Sequence, residues 1–191
     1  LNPVATADQS VACQFPARRT WLATQLKFDA SQTFPKANCP TYERFINEVN
    51  PHQITLIFAS DFLGNPSSAF GHTLLRIDQH GKQNSALTAY AINYEAKTVS
   101  ANSASFIWKG LTGGYPAAFS LLPYFEKVKE YGAMESRDLW EYPLNLTPDE
   151  AVFLVNHTWE MRNVQFPYYF LSKNCSYELL GLLDIVRPSL N

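Results

Sequence analysis

The sequence predicts an α+β domain: an antiparallel sheet packed on a helix that opens at Cys175, with a helical cap in front of it. Three observations carry this. Apolar residues recur at three- and four-residue spacing before Asn50 and after Thr147. Between Gln53 and Tyr94 that period gives way to short apolar runs bounded by turn-forming residues. Two of those runs are joined by the polar stretch His80 to Ser85, the pattern of an antiparallel hairpin. At 191 residues the chain suits a single domain with a substantial core, residues 1–50 forming its helical segment and 51–191 the core proper.

Composition narrows the function classes. The chain is 46% hydrophobic and 14% aromatic, as a packed globule should be, and only 17% charged. A net charge of -2 without clustered Lys or Arg offers no footprint for nucleic acid. The longest apolar runs, Ile54 to Ala59 and Tyr168 to Leu171, fall far short of the ~20 residues a spanning helix needs. The chain opens at Leu1-Asn2-Pro3 with neither an initiator Met nor a signal sequence, so it is expected to be a processed form or a piece of something longer.

Taken in order, residues 1–12 show no period and are expected to fray. Phe15-Pro16-Ala17-Arg18-Arg19 leads into a short helix with Trp21, Leu22 and Leu26, in which the two arginines read as solvated. Pro40 starts a second helix carrying Tyr42, Phe45, Ile46 and Val49. Strands are predicted from Gln53 to Ser60, from Gly71 to Ile77 and from Leu87 to Tyr94. Residues 99–145 mix glycine with aromatics, which suits either a loop over an apolar cleft or ordinary core and turn packing. Glu135, Arg137, Asp138 and Glu141 read as structural ion pairs. Thr147-Pro148-Asp149-Glu150 is a helix start with a capping box, followed by an inward stripe of Ala151, Leu154, Val155, Thr158 and Met161. Phe166 to Leu171 then reads as a short buried strand or loop.

The last helix holds the chemistry. Asn174 is a natural N-cap, so Cys175 falls near position N1, where unpaired backbone N–H groups and the helix dipole favour thiolate. The plainer reading is a small buried hydrophobe beside Leu179, Leu180, Leu182 and Leu183. In an oxidising compartment Cys13 and Cys39 make the economical disulfide and leave Cys175 as a free thiol; in the cytosol all three are reduced.

A thiol nucleophile needs a base, and the base needs an orienting group. If the hairpin loop is centred between Lys82 and Gln83, His72 lies directly opposite Asn93, with Cβ atoms about 4.5 to 5.5 Å apart. A slip of one residue would put them on opposite faces. Cys175, His72 and Asn93 then fill the roles of a papain-type site, with the chain order reversed as in a circular permutation. His157 lies off its helix stripe and is a poorer base. Among His52, His72, His80 and His157 no metal-ligand spacing occurs, and neither a metal nor another cofactor is expected.

Several motifs carry a family resemblance over nearly the whole chain. Asn65-Pro66-Ser67-Ser68-Ala69-Phe70-Gly71-His72-Thr73-Leu74-Leu75-Arg76, Ala89-Tyr90-Ala91-Ile92-Asn93-Tyr94 and Lys109-Gly110-Leu111-Thr112-Gly113-Gly114-Tyr115 are three of them. Arg137-Asp138-Leu139-Trp140-Glu141-Tyr142, Asn174-Cys175-Ser176-Tyr177, Cys13-Gln14-Phe15-Pro16-Ala17-Arg18 and Cys39-Pro40 are the others. Together they resemble the bacterial periplasmic domain family named for the lipoprotein N-acyltransferase Lnb. That resemblance implies a permuted papain-like core similar to NlpC-type and lecithin:retinol acyltransferase-like proteins, in which Asn-Cys opens the nucleophile helix and a strand histidine is the base. Cys175 and His72 take those positions here. It also implies export to the periplasm, a removed signal peptide, a lipid or lipoprotein substrate, and contact with the membrane surface through segments outside this chain.

Three functions follow as alternatives. One is acyl transfer through a thioester at Cys175 to a lipoprotein or lipid amine. The second is a cysteine peptidase or amidase acting on cell-wall peptides, and the third a non-catalytic binding module. The Cys175 amide, Ser68 and Asn174 are the candidate oxyanion donors.

Overall fold

A computed structural model describes residues 10–27, 37–61, 71–81, 88–98 and 103–188. In chain order the elements are α1 (Val11–Gln14), α2 (Pro16–Leu26), α3 (Pro40–Val49), β1 (Pro51–Ala59), β2 (His72–Gln79), β3 (Tyr90–Ala96) and α4 (Ser103–Thr112). They continue with β4 (Tyr115–Pro123), α5 (Tyr124–Val128), a π-helical turn (Lys129–Met134), β5 (Leu139–Pro143), α6 (Pro148–Met161), β6 (Phe166–Tyr168) and α7 (Cys175–Asp184). The six strands form one antiparallel sheet in the order β5-β1-β2-β3-β4-β6. Among the described residues no helix is long and apolar enough to cross a membrane.

Strand alternation divides the core in two. Ile54, Leu75, Ile77, Ile92 and Tyr94 face α6 and α7, where Ala151, Leu154, Val155, Leu179, Leu182 and Leu183 complete the larger cluster. Ile57, Leu74 and Ala91 point the other way, under Tyr124 of α5 and Tyr131 of the π-helical turn. His72, the first residue of β2, stands where these two layers meet.

Local signals explain most of the boundaries. Thr147 caps α6 as expected: its N–H donates to Glu150 Oε2 (2.7 Å) and its Oγ1 accepts the Glu150 N–H (3.3 Å). Arg187 and the Thr147 N–H hold the Glu150 carboxyl down at about 2. Of the acidic and basic residues read as structural ion pairs, Arg137 pairs with Glu135 (3.0 Å), while Glu141 pairs outside that group with Arg76 (2.6 Å), which also holds Asp78 (2.8 Å). In the cap, Cys13 is disulfide-bonded to Cys39, the Cys13 carbonyl accepts the Trp159 indole N–H (2.9 Å), and Arg18 is paired with Glu160 (3.3 Å).

Of the two readings of residues 99–145, core and turn packing holds for the described part: from Ser103 onward the chain forms α4, β4, α5, the π-helical turn and β5. Pro116 and two alanines had hidden the alternation by which Tyr115, Ala117 and Phe119 turn into the core. The third strand begins at Tyr90, and its first predicted residue, Leu87, lies outside the described residues.

The disulfide closes a loop with a sequence separation of 26. Replacing both Cys13 and Cys39 by Ser is expected to lower the unfolding free energy by roughly 3 kcal/mol. Denaturant titration checks this, and Cys175 should keep its alkylation rate in the variant.

Candidate active site

Cys175 owes its position to the cap. Asn174 Oδ1 accepts the Tyr177 N–H (3.2 Å) and its Nδ2 donates to the Phe170 carbonyl (3.3 Å), so α7 starts at the cysteine. Cys175 is the free cysteine and is only 6% exposed. Its surroundings are not purely aliphatic: the sulfur receives hydrogen bonds from His72, from the Thr73 N–H and from the Ser176 hydroxyl. Ser176 Oγ is in turn 2.8 Å from Thr73 Oγ1, which fixes the start of α7 to the start of β2.

His72 is aimed by what precedes and what lies beside it. Gly71 has φ +83°, and a Cβ there would sit 2.8 Å from the Phe58 ring and 2.9 Å from the Ala59 carbonyl, so only glycine fits this entry into β2. His72 Nε2 lies 2.7 Å from Asn93 Oδ1. An amide oxygen only accepts, so Nε2 carries the proton and donates it, leaving Nδ1 to face the thiol. The amide orientation is fixed from behind, because Asn93 Nδ2 donates to Glu95 Oε2 (2.8 Å) and a flip would set two oxygens against each other. Lys127 Nζ closes the network on Glu95 (3.2 Å) and Glu130 (2.9 Å).

The hydrogen bond forms although the predicted register does not. Leu75 pairs with Ile92, Arg76 with Ala91 and Ile77 with Tyr90. Continued by one step, this sets Asn93 across from Leu74, not His72. The displacement is by two residues, an even number, so both side chains keep the same face and meet diagonally.

The electrostatics favour an ion pair. Burial pushes the Cys175 thiol up, but the His72 hydrogen bond and charge, with Thr73 and Ser176, outweigh it and bring the thiol down to about 7. Burial also pushes the His72 ring down, yet its bond to Cys175, the thiolate charge and the bond to Asn93 leave it raised. Glu95 is lowered: burial opposes this, while the Lys127 charge and the Asn93 bond dominate. The two groups titrate as a pair, thiolate beside imidazolium.

Tyr168 is a site residue that sequence reading missed. Its hydroxyl accepts the Cys175 N–H and hydrogen-bonds the sulfur, and burial, followed by the thiolate charge, raises its pKa. Only the pairing of β6 with β4 reveals it, because that is what turns Tyr168 inward against Tyr94. Asn174, a candidate oxyanion donor, is committed to capping and to Phe170. Ser68 lies outside the described residues. His157 sits on α6 beside Glu160 (3.5 Å). Among the described residues no group of three or more His, Cys, Asp or Glu is placed to hold a metal.

Asn93→Ala removes the acceptor for Nε2 but leaves the Glu95–Lys127 pair. The alkylation rate of Cys175 at neutral pH is expected to fall about tenfold, the equivalent of one charge-assisted hydrogen bond of ~1.4 kcal/mol. Iodoacetamide kinetics measure it, with circular dichroism as the check on folding.

Residues 41–191 match the family model described as the Lnb N-terminal periplasmic domain. Searches of curated proteins and of solved structures gave no match. The matched stretch is well over half of the chain and contains Cys175, His72, Asn93 and Tyr168, while the Cys13–Cys39 disulfide lies just ahead of it. The chain therefore belongs to the Lnb N-terminal periplasmic domain family and is a periplasmic domain of the cell envelope.

Proposed function

We propose that this domain performs cysteine-dependent acyl transfer on a permuted papain-like core. The observation that carries the reading is the buried chain of contacts from the Cys175 thiol through His72 to Asn93, with the thiol brought down to about 7. The strand histidine and asparagine precede the nucleophile helix in sequence, the reverse of the papain order, but the three side chains meet in the same roles.

In the first half-reaction the Cys175 thiolate attacks the carbonyl carbon of an acyl ester. The Cys175 N–H and the Tyr168 hydroxyl, which meet beside the sulfur, are the donors assigned to the oxyanion that forms. The C–O bond breaks, the leaving alkoxide takes the proton from His72, and a thioester remains. In the second half-reaction neutral His72 accepts a proton from an acceptor amine as its nitrogen attacks the thioester. The C–S bond breaks, and thiolate and imidazolium are restored. Asn93 keeps the ring in one tautomer through both steps.

The lipid or lipoprotein acceptor is part of the same proposal. Intact-mass spectrometry after incubation with diacyl phospholipid tests it. The expected result is a hydroxylamine-labile acyl adduct on Cys175, absent in Cys175→Ser and slowed about 10²–10⁴-fold in His72→Ala with the fold retained. Cleavage of cell-wall peptides without an adduct would replace transfer by hydrolysis. Full turnover in Cys175→Ser would remove the nucleophile from the scheme.

A further inference from the structure

The helix α4 is apolar on two sides. Its inward side, Phe106 and Gly110, packs on the aromatic loop that leads to Cys175: Phe106 lies 5.1 Å from Phe170 between ring centroids, and the Phe170 ring leaves no room for a Cβ at Gly110. Its outward side carries Ala104, Ile107, Trp108 and Leu111, at helical spacings of three and four, and it is exposed. Trp108 is 70% exposed, Ile107 53% and Leu111 49%, and Leu171, next to Phe170, is 69% exposed. A surface helix ordinarily turns charged residues outward, so an apolar stripe of this kind marks a contact surface.

Charge identifies what it contacts. From Ala96 to Phe125 the only charged residues are Lys97 and Lys109, and from Met161 to Tyr177 they are Arg162 and Lys173. Neither stretch holds a carboxylate, although acidic residues outnumber basic ones, 17 to 15, in the chain. Lys109 is exposed and flanks Trp108 on the side away from Leu111, with its ammonium 5.9 Å from the centre of the Tyr115 ring. An exposed tryptophan and aliphatic side chains with a lysine at their edge, on a stretch of chain without a carboxylate, are the anchors of a peripheral helix at a bilayer interface: the apolar groups enter the acyl boundary while the ammonium reaches the headgroups.

We infer that the outward face of α4, extended by Leu171, docks this domain on a bilayer surface carrying anionic headgroups. This rests on the acyl-transfer reading for its purpose, since a docked α4 holds the 169–174 loop, and Cys175 just beyond it, at the level where lipid esters lie. It does not rest on that reading for its evidence.

Cosedimentation of the chain with phosphatidylglycerol–phosphatidylethanolamine vesicles, and with phosphatidylcholine vesicles, tests it. Binding to the anionic vesicles is expected, with a blue shift of tryptophan emission. Trp108→Glu should weaken binding about tenfold or more, and Lys109→Glu or exchange to phosphatidylcholine several-fold, while melting temperature and alkylation of Cys175 by soluble iodoacetamide stay unchanged. The inference is overturned if no vesicle binds, if Trp108→Glu binds as well as the parent chain, or if the stripe proves to join two copies in a dimer that Trp108→Glu dissociates. Failure of the chemistry is read separately: Cys175→Ala should sediment like the parent even if no acyl adduct ever forms.

Discussion

The hydrogen bond from His72 Nε2 to Asn93 Oδ1 is the constraint on which the site depends. It fixes which ring nitrogen is protonated, and therefore which one meets the sulfur. It is also costly to leave incomplete, because Asn93 is wholly buried and an unmatched amide there would carry its full desolvation penalty. Glu95 and Lys127 complete it: the carboxylate takes the amide hydrogens that His72 cannot, and the ammonium holds the carboxylate. Fully satisfied, such a network is rigid.

The sheet and the last helix are arranged to deliver the partners to that bond. Antiparallel β2 and β3 bring His72 and Asn93 to one face near one end of the sheet, and α7, packed over the other face, starts level with that end. The nucleophile is thus reached from one layer and its base oriented from the other. Burial on its own would raise the thiol and depress the imidazole, and the direction of both shifts is reversed mainly because the two groups face each other, with Thr73, Ser176 and Asn93 adding to it. Removing either partner leaves the other in an environment that favours its neutral form.

Much of this was legible in the sequence where local rules decide. The cap at Asn174, the capping box at Thr147 and Glu150, and the first two strands depend on neighbours within a few residues, and they stand as read. The pairing of His72 with Asn93 was right for face and wrong for register, since the register was assigned from loop symmetry alone. Tyr168, Glu95 and Lys127 were not visible as site residues at all. Each enters through tertiary pairing: Tyr168 by the β4–β6 ladder, Lys127 by a short helix that folds its ammonium back over β3. The stretch from Ser103 to Pro143 was obscured because its aromatics serve several different packing layers, so no single period runs through it.

The central claim is that Cys175 and His72 form one ion pair inside the folded domain. Titration of the ultraviolet thiolate absorbance, with Cys175→Ser as the blank, addresses it directly. The account requires a midpoint near 7, moving upward in His72→Ala once burial acts unopposed. A midpoint at about 8.5, the value of an unperturbed thiol, and unchanged in His72→Ala, would contradict it.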